Sequence, residues 1–346
     1  MQDRQKHYFC SAATHGREQP RRLQNAKSKQ MNTMISRVKE IDYLKCVFII
    51  LMVVFHLVYV GDRYPYAKQV VYTFHMPAFL LVSGYLANMD KSLGSMLAKL
   101  KWLFIPYAVM ETGYIFSASV LPIREHIDNL TAALFAEKLL LHPLGPYWYL
   151  HTLMACYIIY YAVNRLRPRL GTVSFICVLG VCFYAAARLL HVIETGNAMY
   201  FLGGVIVRQA GVGFLQVFRP SLLAALPFAL FCMASPGEMY KDTLTGVAMT
   251  YLAVSIALGI YDRLSEKAKR AACFIGSNTL AILLFSPMFT IVAKLFVPVF
   301  AFDGSASLYT LFSASFVLAG SLAVAYVMDR LGLSRWFSGK KLYNRP

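Results

Sequence analysis

The chain has 346 residues, 58% of them hydrophobic and only 15% charged, with a formal net charge of +17. That balance excludes an ordinary soluble domain of this length, which carries more charge and fewer uninterrupted apolar runs. It also gives no nucleic-acid partner, because the basic residues collect in short segments between apolar runs and follow a membrane pattern.

Residues 1–36 are polar and basic, with no period and no apolar stretch of the kind a secretory signal needs. They read as a disordered cytoplasmic tail. Met31 and Met34 stand just ahead of the first apolar run, so either is a candidate start that would leave the tail out. Apolar windows of about 17–25 residues then predict spans at 41–60, 67–87, 99–119, 147–163 and 172–190. The second half adds 194–208, 217–234, 242–260, 275–297 and 306–328, followed by a short basic cytoplasmic tail at 331–346.

With ten spans and the N-terminus inside, 26 of the 34 lysines and arginines fall on the inner side. This bias predicts both termini in the cytoplasm. Trp102 and Trp336 at inner boundaries and Trp148 at an outer one agree, since amphipathic rings settle at interfaces. The expected class is therefore all-α, a multi-pass protein of the cell membrane with about ten transmembrane helices and membrane lipids as neighbours. The longest external loop, 120–146, has apolar residues at helical spacing in NLTAALFAEKLLLHPLG, which predicts a helix lying along the outer surface. The seven cysteines show no metal-site spacing and no disulfide framework is expected, so no metal is predicted.

The first span, IDYLKCVFIILMVVFHLVYV, holds Asp42, Lys45 and His56. Ionisable groups are costly in lipid, and those that occur tend to face a protein interior or a cavity. Eleven helical residues make three turns plus about 20°, so Lys45 and His56 share a face with a rise of about 16 Å. Asp42 precedes Lys45 by three residues and can pair with it at the inner surface. His56 lies too deep to snorkel, and a neutral imidazole there can accept a proton. The competing reading is an interhelical hydrogen bond for His56 and a helix anchor in Lys45.

The second span contains FHMPAFLLVSGY. Pro77 breaks the hydrogen-bond ladder, while Ser83 and Gly84 offer a hydroxyl and close approach. His75 would stand at a depth comparable to His56; its alternative role is to satisfy the backbone opened by Pro77. In the third span Glu111 is an embedded carboxylate that could assist His56 or serve packing alone. His151, one turn below Trp148, lies near the outer mouth and would touch an acceptor or cap an aromatic cluster. Arg188 and Lys294 read as snorkelling cations at outer helix ends, and Arg165, Arg167 and Arg169 as a topology-setting loop.

IDYLKCVFIILMVVFH resembles the first helix of the membrane-bound acyltransferase 3 family, whose signature is a basic residue, ten residues, then histidine. Lysine instead of the usual arginine resembles the fucose 4-O-acetylase-like branch, and FHMPAFLLVSGYL is similar to that branch's second helix. GPYWYLHTLMACY at 145–157 and IGSNTLAILLFSPMF at 275–289 are similar to later family segments. The resemblance runs from 37 to 330. It implies acyl transfer, most often acetyl, from cytoplasmic acyl-CoA to a hydroxyl of a surface glycan or lipid-linked precursor. Acetyl-CoA would be a co-substrate, with no bound cofactor.

In that frame His56 matches the essential histidine, as general base or acyl relay, and Lys45 its basic partner. Asp42, His75 and Glu111 are the supporting candidates at the reacting centre. Lys45, Lys99, Lys101 and Arg165 are the candidates for CoA, and Ser83, Trp148 and His151 for the acceptor. The sequence departs from the family pattern in three places. Lys99 and Lys101 stand two apart where two arginines three apart are usual. Leu153 occupies a position that is glutamate in O-antigen-modifying members, and Phe285-Ser286 precede Pro287 where a histidine is common. The runner-up is a transporter of a glycan or small solute using intramembrane His and Glu, but that reading predicts inverted repeats, and the two halves do not match.

Overall fold

The computed structural model describes residues 39–120, 125–234, 237 and 239–344. The predicted tail at 1–36 lies outside them. Among the described residues the chain is helical with no strand. Helices run in the order α1 (Lys39–His56), α2 (Val58–Arg63), α3 (Pro65–Leu86), α4 (Leu93–Val120), α5 (Ala132–Leu140), α6 (Trp148–Asn164), α7 (Thr172–Arg188) and α8 (Thr195–Gln209). They continue as α9 (Phe214–Val217), α10 (Ala225–Ala234), α11 (Leu244–Tyr261), α12 (Glu266–Ser277), α13 (Thr279–Ala293), α14 (Ser307–Arg330) and α15 (Ser334–Ser338). Leu93–Val120, Leu244–Tyr261, Thr279–Phe296 and Ser307–Arg330 are each long and apolar enough to cross a membrane.

Local chemistry accounts for many of the boundaries. Pro65 opens α3, where its missing N–H costs nothing. Hydroxyls of Thr131, Thr243 and Ser265 accept from Leu134, Gly246 and Ala268 N–H groups and cap α5, α11 and α12. Helix α5 is the one expected in the long loop, and its Leu134, Phe135 and Leu139 pack on Ile115, Ala118 and Ile127.

Two predicted spans are broken, and a third, 217–234, is helical mainly over Ala225–Ala234. The first ends at His56, because Leu57 takes an extended conformation (φ −69°, ψ 102°) before the short α2. His56 is thus the last residue of its helix. The window 275–297 is interrupted at Asn278, so that α12 and α13 meet at an angle-forming residue with φ −108° and ψ 14°.

Helix crossings use glycine where backbones touch. Gly84 of α3 and Gly204 of α8 face each other's helix, and a Cβ on either would overlap a carbonyl oxygen of the other. Gly276 of α12 does the same against the Asp42 carbonyl of α1. The C-terminal segment is strapped down as far as residue 344. Asp329 accepts from the backbone N–H groups of Leu342 and Tyr343 at 2.9 and 3.0 Å, and Asn278 exchanges two hydrogen bonds with the Asn344 backbone.

Candidate active site

Asp42 and Lys45 form the ion pair their spacing predicts, at 2.6 Å. Asp42 is buried at 6% exposure beneath the α12 contact, so the pair sits at a packed helix junction. Lys45 lines a cavity of about 190 Å³ whose other walls are mainly apolar, among them Ile49, Phe79, Leu153 and Leu283.

His56 lines a second cavity of about 250 Å³ with Met52. Helix α3 contributes Lys68 and Tyr72, α13 contributes Ser286, Pro287 and Thr290, and Lys294 follows directly after α13. The remaining wall is built by Tyr114, Glu125 and the Gly145–Pro146 turn. His56 Nδ1 lies 2.7 Å from the Met52 carbonyl, one turn back. A carbonyl can only accept, so Nδ1 carries the proton and Nε2 is the basic nitrogen of the neutral ring.

The two cavities follow one another along the same pair of helices. On α1 the lining passes from Lys45 and Ile49 to Met52 and His56. On α13 it passes from Thr279 and Leu283 to Ser286 and Thr290 in the same direction. Three residues separate the two linings on each helix, a rise of about 4.5 Å. The two linings are thus offset by less than one helical turn.

His75 is buried at 2% exposure, and its Nδ1 donates to the Val71 carbonyl at 2.7 Å. The carbonyl deprived of its donor by Pro77 belongs to Thr73, so His75 does not repair that break. Its Nε2 has no hydrogen-bond partner. The Tyr72 ring stands between the histidines, 6.1 Å from His56 and 5.1 Å from His75 by centroids. His75 thus backs the cavity wall without lining it.

Glu111 is fully buried, and its Oε1 accepts from Leu144 N–H at 2.6 Å. Glu125 Oε2 accepts from the neighbouring Gly145 N–H at 2.7 Å. Two carboxylates therefore hold the turn whose next residue, Pro146, lines the His56 cavity, and Gly145 at φ +56° supplies its left-handed bend. Glu111 reaches the site through this turn.

The three acceptor candidates are not brought together. Ser83 shares a 2.8 Å hydrogen bond with Tyr149 and lines the Lys45 cavity. Trp148 packs on Tyr149 and lies beneath the Lys241 ammonium, while His151 donates to the Leu140 carbonyl at 2.9 Å and fastens the end of α5. Lys99, Lys101 and Arg165 rest on the rings of Tyr157, Trp102 and Tyr161 and line neither cavity.

Residues that the sequence reading left out of the site are Lys68, Tyr72, Tyr114, Glu125 and Lys294. Lys68, Tyr72 and His75 fall at i, i+4 and i+7, a polar stripe that helical counting could have revealed. Glu125 and Lys294 carry no such local signal.

A family model described as an Acyltransferase domain, Acyl_transf_3, matches residues 38–330. The chain belongs to this family. The match covers the bundle from the start of α1 to the end of α14, both cavities included. Searches of curated proteins and of solved structures give no match. With its long apolar helices, the protein is a membrane acyltransferase.

Proposed function

We propose that this acyltransferase belongs to the fucose 4-O-acetylase-like branch. Its reaction moves an acetyl group from cytoplasmic acetyl-CoA to a hydroxyl of a surface glycan or its lipid-linked precursor. The observation that carries the reading is the pair of cavities in line along α1 and α13, apolar around Lys45 and polar around His56. The basic-residue bias supports a cytoplasmic Lys45 end, with both termini there and multiple spans of the cell membrane between.

In this scheme the apolar cavity receives the acyl-pantetheine arm and Lys45 attracts the anionic part of CoA. The acceptor hydroxyl enters the polar cavity. His56 Nε2 removes its proton as the oxygen attacks the thioester carbonyl. The new C–O bond forms, the C–S bond breaks, and the departing thiolate takes the proton back from the imidazolium. Lys68 and Lys294 lie in the same cavity and supply positive potential where the tetrahedral oxyanion develops.

The test uses membrane vesicles of wild type and His56→Ala with labelled acetyl-CoA. Label should enter endogenous glycan in wild type only. Equal labelling by both would remove His56 from the reaction, and label in neither, with solute movement by wild type alone, would favour transport.

A further inference from the structure

A cavity of about 650 Å³, larger than either described above, lies between α8 and α11 and shares no lining residue with them. Its floor on α8 is Gly196, Met199 and Gly203, and its far wall on α11 includes Val247 and Tyr251. Gly196 to Gly203 spans about 10 Å along the helix. Val247 and Tyr251 are exposed at 53% and 41%, so this wall opens to the outside of the bundle, where a membrane protein meets lipid chains.

One end of the cavity is charged. Arg188, Glu194, Lys241 and Asp242 come together there from the end of α7, the start of α8 and the segment before α11. Lys241 is neutralised by Glu194 and donates to Asn197 Oδ1 at 3.1 Å. Asp242 lies against Gly196 in the first turn of α8. Arg188 is exposed and forms no ion pair among the described residues.

We infer that this groove binds a glycerophospholipid of the surrounding bilayer. Arg188 holds the phosphate, and an acyl chain lies along Met199, Gly203, Val247 and Tyr251. A planar guanidinium matches two phosphate oxygens, and basic pockets between membrane helices recognise lipid headgroups by this means. A wholly apolar occupant would leave the charged end, with Arg188 and Asp242, uncovered, and a water-soluble anion would leave the apolar floor uncovered. The inference rests on membrane residence and not on the acyl-transfer mechanism, so the two fail separately.

Gly203 permits a direct test, because a Cβ there meets nothing within 4 Å. Gly203→Phe fills the groove without displacing backbone, and Gly203→Ala leaves it open. The full-length protein is delipidated in detergent, offered phosphatidylglycerol or the phosphate-free diacylglycerol, and lipid retention is read by native mass spectrometry. Wild type and Gly203→Ala should retain one phosphatidylglycerol. Arg188→Gln should weaken that retention roughly tenfold or more, as expected for loss of a charge-assisted bond, with Arg188→Lys intermediate. Gly203→Phe should abolish it, and diacylglycerol should bind to none. Equal retention of diacylglycerol and phosphatidylglycerol, or undiminished retention by Gly203→Phe, would overturn the assignment. So would a tenfold preference for a polyprenyl monophosphate over phosphatidylglycerol, which would make the occupant an isoprenoid carrier.

Discussion

The two cavities along α1 share a helix pair but not a chemistry. Around Lys45 the walls are mainly leucine, isoleucine, valine, methionine and phenylalanine with the hydroxyls of Ser83, Tyr149 and Thr279 among them, and the lysine is the single charged lining residue. Around His56 the walls carry two lysines, a glutamate and the hydroxyls of Ser286 and Thr290. An apolar slot discriminates by shape and length, whereas a polar one orients hydroxyls and supports developing charge. The difference teaches that one helix face can line two chemically distinct cavities when its neighbours change along its length. Helix α1 supplies a lysine, then apolar residues, then histidine, and the flanking helices decide what each one faces.

The sharpest way to break the comparison is His56→Ala, which should lower acetyl-CoA-dependent turnover by about 10²- to 10⁴-fold, the usual worth of a general base, with donor binding retained. A loss of donor binding in that variant would mean that the two cavities are not functionally separate. Lys45→Ala should do the opposite, raising KM for acetyl-CoA by roughly tenfold with kcat nearly unchanged. Steady-state kinetics read both, and unchanged donor kinetics would end the proposed role of Lys45.

Glu111 separates support from chemistry. Glu111→Gln keeps an acceptor for Leu144 N–H and should retain activity within a few-fold, whereas Glu111→Ala strips that buried N–H of its partner and should destabilise the protein by about 1–3 kcal/mol. Thermal unfolding and turnover measured together decide the matter, and a hundredfold loss of kcat in a stable Glu111→Gln would place Glu111 in the reaction.

The smallest expected effect lies at the loop before α14. The Arg63 guanidinium and Tyr64 hydroxyl donate to the carbonyls of Gly304 and Ser305, tying the α2–α3 turn to this loop. Bonds from the Ser305 hydroxyl and from the Leu308 and Ser305 N–H groups hold the Asp303 carboxyl below its usual range. A lowered carboxylate value means that its stabilising contribution is present at neutral pH and is lost as pH falls through that lowered value. Asp303→Ala should therefore lower the melting temperature slightly at neutral pH, with the difference closing in acid. A difference that persists below that range would show that the carboxylate charge is not its cause.

Much of this was legible in the chain itself. Periodicity and composition determine the all-helical class and the membrane setting, because apolar runs and helical spacing are local properties. Spacing alone predicts the Asp42–Lys45 pair, since residues three apart meet on any helix. The residues of IDYLKCVFIILMVVFH also pointed to the family that the chain belongs to.

Tertiary structure decided the rest. The break at Leu57 leaves His56 at a helix end, although hydropathy runs smoothly through it. Lys68, Glu125 and Lys294 join His56 from segments separated by up to hundreds of residues, and Trp148 and His151, close in sequence to Pro146 of the same cavity, turn elsewhere. Side-chain spacing reveals which residues share a face. Which face meets which depends on packing between distant helices, here on glycines such as Gly276 that let backbones touch, and that information belongs to the fold.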